Sequence, residues 1–138
     1  MQWLTFALLS ALFAASTSIL AKIGVKDINS NLATAVRTVV ITIFAWSIVF
    51  FHKDFNGLNS ISKHSLLFLI LSGLTTGISW LFYFRALQLG SVSKVVPIDK
   101  LSLVLVVLFG ALFLSEKVTF HVVLGSILMI VGAILVAF

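Results

Sequence analysis

The sequence has no cysteine, one proline and only four acidic residues in 138 positions. Without a thiol there can be no disulfide, thiolate metal site or sulfur nucleophile. Charged residues of both signs amount to 9%, against roughly 25% in soluble domains. The nine basic residues are scattered near the ends of apolar segments and form no stripe that could follow a phosphate backbone, which argues against nucleic-acid binding. Serines are plentiful, but no histidine or lysine lies at mid-segment to activate one, and no pair of buried acids is available, so the chain does not read as an enzyme. Nothing calls for a cofactor. The three histidines, His52, His64 and His121, fall in connections without the i, i+4 spacing or nearby carboxylates of a metal site, and read as solvated loop residues.

What the chain has in abundance is apolar sequence. Hydrophobic residues make up 61% and mean hydropathy is +1.24. Five apolar runs, at about 3–23, 32–51, 65–89, 95–115 and 119–138, each approach the roughly 20 residues that cross a bilayer. The expectation is an all-α integral membrane protein with five transmembrane helices in one bundle and a single domain over 1–138, because helices satisfy their own backbone hydrogen bonds in lipid. The first run is expected to be a retained span, since its lysines, Lys22 and Lys26, follow the apolar stretch instead of preceding it. Only the connection from His52 to His64 is sizeable, with a turn at Asn56-Gly57. Pro97 is expected in the first turn of the fourth helix, where a missing amide costs little. Gly73 and Gly77 have GxxxG spacing, Gly125 and Gly132 share a face seven residues apart, and with Gly110 these are candidates for close helix packing.

Four charges lie a turn or more inside the apolar runs. Arg37 sits a turn and a half into the second, Arg85 a turn before the end of the third, and Asp99 and Lys100 a turn into the fourth. Counting crossings puts all four near one membrane face. A lysine or arginine at such depth can snorkel to the headgroups, but Asp99 cannot reach as far, so the group reads as an interior polar layer that binds or gates. Three positive charges to one negative would suit an anionic group. Trp80, Tyr83 and Phe84 recur at helical i, i+3, i+4 spacing. With Ser79, and with Thr75 and Thr76 deeper, they offer an aromatic wall with a few hydroxyls. The competing reading makes Trp80 and Tyr83 interface anchors and has the hydroxyls bonding their own helix. Trp3 and Trp46 read as interface aromatics.

From Phe84 to Gly132 the order of residues resembles the EamA family of the drug/metabolite transporter superfamily. The matching elements are Ala86-Leu87-x-x-Gly90, Val96-Pro97, the apolar run from Leu101 to Leu114, Glu116-Lys117-x-Thr119, and Gly125 with Gly132; Arg37 early in the second span is also similar. Family members commonly carry two five-helix repeats in one chain, and this chain carries one. The resemblance therefore implies a half-size transporter of small organic metabolites, with a cavity lined by the third and fourth spans and alternating access in a dimer. Asp99 and Lys100 are not part of the resemblance.

Five crossings leave the chain ends on opposite sides of the bilayer. Loop lysines are evenly divided, with Lys22, Lys26 and Lys94 on one side and Lys53, Lys63 and Lys117 on the other. Adding Arg37, Arg85 and Lys100 tilts the count toward the first side being cytoplasmic. Near balance permits insertion in both senses, and an antiparallel homodimer would then have a two-fold axis in the membrane plane. The expected partners are thus the lipid bilayer of a cell inner membrane, a small-molecule substrate and a second copy. A flippase subunit for a lipid-linked sugar and a non-transporting assembly or regulatory subunit remain as alternatives.

Overall fold

In lipid a backbone amide has no water to bond, so each crossing must close its own hydrogen bonds. The computed structural model describes residues 2–138, leaving aside the side chains of Asn56 and Asn59; Met1 lies outside the described residues. Six helices follow in order: α1 (Gln2–Gly24), α2 (Ser30–His52), α3 (Lys63–Leu89), α4 (Val92–Asp99), α5 (Ser102–Phe113) and α6 (Phe120–Ala137), with a 3-10 helix (Asp54–Ser60) between α2 and α3. Among the described residues there is no strand. Counted as crossings, with α4 and α5 taken as one, these give five helical segments of 23, 23, 27, 22 and 18 residues, each long and apolar enough to span a membrane. The all-α membrane architecture expected from hydropathy is the one observed.

The chain divides into two compact units. One runs to Lys22 and resumes at Leu89, and the other is Ile23–Gln88. In the second unit Val25, Ala33, Phe84 and Leu87 are buried, along with Ser30 and Thr34. Hydroxyls within the crossings of this unit turn back onto their own helices: Thr34 Oγ1 donates to the Ser30 carbonyl at 2.9 Å, Thr38 to Thr34 at 2.8 Å and Thr76 to Ser72 at 2.8 Å. Each polar side chain is thereby satisfied without a partner from outside its helix. Asn29 caps α2, its Oδ1 accepting from the Asn31 amide at 2.8 Å. At the other end Lys53 adopts a left-handed conformation (φ 57°) that returns its N–H to α2 and starts the 3-10 helix.

In the first unit α4 and α5 both pack on α6. The fourth crossing departs from expectation. Ser91 is extended (ψ 149°) and α4 starts immediately after it, at Val92. Pro97 therefore lies inside the helix, beyond the first turn in which the sequence predicts it. There it lacks the N–H that would bond the Ser93 carbonyl, and its ring crowds that carbonyl. Downstream the bonding shortens to i→i−3 steps, with Leu101 donating to Ile98, Leu103 to Lys100 and Val104 to Leu101, each at 3.0 Å. One crossing thus becomes two helices meeting at Lys100 and Leu101.

α5 ends in a tight reversal. Ser115 is left-handed (φ 55°), and the amides of Leu114 and Glu116 both donate to the Gly110 carbonyl, at 3.0 and 3.1 Å. This fold-back sets the Glu116 carboxylate against Gly110, where a Cβ would lie 2.9 Å from Oε2. Gly110, a candidate for close helix packing, is therefore covered by the chain's own Glu116. Gly73, Gly77, Gly125 and Gly132 differ, since a Cβ at any of them would have no neighbour within 4 Å.

Two stability outcomes follow. Ser126 on α6 is buried and its hydroxyl has no hydrogen-bond partner among the described residues. Ser126→Ala should therefore leave stability unchanged or raise it by about 1 kcal/mol, since it removes a desolvated group with nothing to lose. Asn29→Ala should lower stability by about 1 kcal/mol through loss of the α2 cap. Denaturant titration of the detergent-solubilised protein, followed by circular dichroism, measures both.

Candidate functional site

Of the residues singled out in the sequence, the structure brings Arg37, Trp80 and Phe84 together across α2 and α3. Arg37 extends from α2 to α3 and places its guanidinium carbon 4.4 Å from the centre of the Trp80 ring and 5.4 Å from that of Phe84. Trp80 and Phe84 are one turn apart on α3, so their rings fall on the same helix face. Tyr83 stands edge-on to Phe84, with ring centres 6.3 Å apart. Phe84 is buried, while Arg37, Trp80 and Tyr83 are half-buried. A guanidinium over an indole face is the strongest of the cation–π arrangements, worth up to about 2 kcal/mol when desolvated.

The other site candidates lie elsewhere in their units. Arg85 is exposed and donates to Gln88 Oε1 at 3.1 Å. Asp99 and Lys100 pair with each other, Nζ to Oδ2 at 3.4 Å, at the junction of α4 and α5. Ser79 is exposed on α3. The Thr75 hydroxyl bonds the carbonyls of Leu71 and Ser72, and with Thr76 also bonded to its own helix, neither hydroxyl needs a pocket partner. Two shallow apolar grooves of about 260 and 500 Å³ flank Trp46, where α2 meets the 3-10 helix, remote along α2 from Arg37.

Two polar side chains not singled out in the sequence hold connections. Gln88 Nε2 donates to the carbonyls of Val25 and Ile28, at 3.0 and 2.6 Å, while its Oε1 receives Arg85. One amide thereby satisfies two carbonyls of the α1–α2 connection and fixes Arg85. Lys22 Nζ donates to the Gly90 carbonyl at 2.7 Å, tying the end of α1 to the start of the α3–α4 connection. The one available signal is position, since both are long polar residues at the last turn of an apolar run.

Five apolar crossings with an arginine held on aromatic rings inside one of them define a polytopic membrane protein with polar groups committed to its spans. The whole chain, residues 1–138, matches the EamA-like transporter family, and the chain belongs to that family. A Sinorhizobium sp. protein described as an uncharacterized transporter in the cobO 3' region is 50% identical over 136 residues, which cover 99% of this chain and 96% of the relative. No solved structure matches the chain. Family and relative alike make it a membrane transporter of the drug/metabolite type.

Gln88→Ala would strip two carbonyls of the α1–α2 connection of their donor and release Arg85. The expected cost is about 1–2 kcal/mol in unfolding free energy, together with faster amide exchange over residues 25–29. Exchange mass spectrometry in detergent reads the local effect separately from the global one.

Proposed function

We propose that this chain is a single EamA-type repeat, and that two copies, inserted in opposite senses, form one transporter moving a small organic metabolite by alternating access. The observation that carries the reading is Arg37 on Trp80 and Phe84, a charge kept within a crossing by aromatic faces. Ionisable groups at such depth are costly and mark substrate or ion pathways. Trp80 and Tyr83 supply the apolar wall of the proposed cavity, with Ser79 beside them. Arg37 and Arg85 are its orienting charges, and a gating role is proposed separately for Asp99 and Lys100 on the fourth crossing.

Assembly from two copies is supported by the odd number of crossings and by the even division of loop lysines between the two membrane faces. It is also supported by the glycines of α3 and α6. Gly73, Gly77, Gly125 and Gly132 meet no neighbour in their own chain, which leaves close-packing surface for a second one. The proposed location is a bacterial-type inner membrane.

Topology is testable directly because the chain has no cysteine. Asn56 precedes α3 and Ser91 follows it, so the two flank a single crossing. Single cysteines at these positions, labelled in intact cells with a membrane-impermeant thiol reagent, should both react partially. Labelling at only one position would establish a fixed orientation and remove the antiparallel homodimer. For transport, liposomes holding the purified chain are loaded with a panel of organic acids, amines and amides. Arg37→Ala and Lys100→Ala should each abolish the flux seen with the wild type while the protein remains inserted. Wild-type flux from both variants would remove the gating role.

A further inference from the structure

The rings hold Arg37 through its guanidinium carbon, 4.4 Å from the centre of Trp80 and 5.4 Å from that of Phe84. The five N–H donors of the group lie in its plane, and a cation–π attraction supplies none of them with an oxygen acceptor. Among the described residues no carboxylate pairs with Arg37, since the single ion pair is Asp99 with Lys100. None of its N–H groups has a hydrogen-bond acceptor there either. Neither helix that frames it supplies a carboxylate, since α2 and α3 contain no aspartate or glutamate. A half-buried cation with unmet donors inside a crossing is costly until an anion meets it. Trp80 and Phe84 hold the group in place, and its own planarity offers a flat fork of parallel donors, which matches the two oxygens of an oxyanion.

We propose that Arg37 is an oxyanion-binding residue whose ligand is a small monocarboxylate with an apolar body. The carboxylate lies in the guanidinium plane, and the body rests along the rings of Trp80, Phe84 and Tyr83. The assignment rests on the transporter reading and names its substrate class. Lysine at this position would keep the charge but lose both the fork and the stack. A phosphate oxyanion of a lipid headgroup offers the same chemistry, so the test separates a free ligand from a lipid.

The tryptophan in the stack provides the reporter. Replacing Trp3 and Trp46 by Phe leaves Trp80 alone. This protein, in phosphate-free maltoside micelles, is titrated with cyclohexanecarboxylate and, separately, with the neutral cyclohexanecarboxamide. The expected result is a saturable change in Trp80 emission with the carboxylate and none with the carboxamide. Arg37→Lys should weaken the response by about tenfold or more, as loss of bidentate geometry requires, and Arg37→Gln should eliminate it. An equal response to both compounds would overturn the assignment in favour of plain apolar binding. A response only to added phosphatidylglycerol would overturn it in favour of a headgroup anchor, and no response to any of the three would remove it outright. Because binding is read without flux, the two readings fail separately. Carboxylate binding without transport would sustain this site and sink the transporter, and transport that the carboxylate neither joins nor inhibits would do the reverse.

Discussion

The need for the backbone to satisfy itself in a solvent without water determines most of what is seen in this protein. It makes every crossing a helix, and it makes the helix ends and interruptions the places where polar side chains are needed. Asn29 caps the start of α2. Gln88 and Lys22 give their donors to carbonyls in the connections. Thr34, Thr38 and Thr76 bond within their own helices. Few polar groups remain uncommitted, which gives those that do a chemical meaning they would not have on a soluble surface.

The same scarcity explains why the choice of cation matters. An ammonium at Arg37 would present a compact, strongly hydrated charge to two rings. A guanidinium is planar and weakly hydrated, so it can rest on an indole face and still have its edge free. α2 and α3 supply aromatic surface and no acid, an arrangement that holds a cation in place without neutralising it.

Hydropathy made the five crossings legible, because a run of apolar residues leaves little choice of structure in lipid. The third run, read as 65–89, is observed as Lys63–Leu89, and the fifth, read as 119–138, as Phe120–Ala137. The fourth was legible in extent but not in form. Where a helix starts depends on which residue is extended before it, and Ser91 takes that role three residues earlier than the apolar pattern suggests. The shift moves Pro97 from a harmless position to a disruptive one. In the site, Arg37 and Trp80 were both visible from their depth and type. Their meeting was not, because it depends on the register between α2 and α3, which periodicity within either helix does not contain. The bonding roles of Gln88 and Lys22 escaped notice for a related reason. Their partners are carbonyls, and carbonyls carry no sequence identity.

The joint in the fourth crossing places two charges between two backbone dipoles. α4 ends at Asp99 and Lys100 is its C-cap, so the lysine stands at the negative end of a helix dipole. α5 begins at Ser102, so Asp99 precedes by less than a turn the positive end of a second helix dipole. An uninterrupted helix would have neither end at this depth, and its middle would have to hold the pair with no help from the backbone. The proline that breaks the crossing thus also sets a lysine and an aspartate between two helix ends of opposite sign.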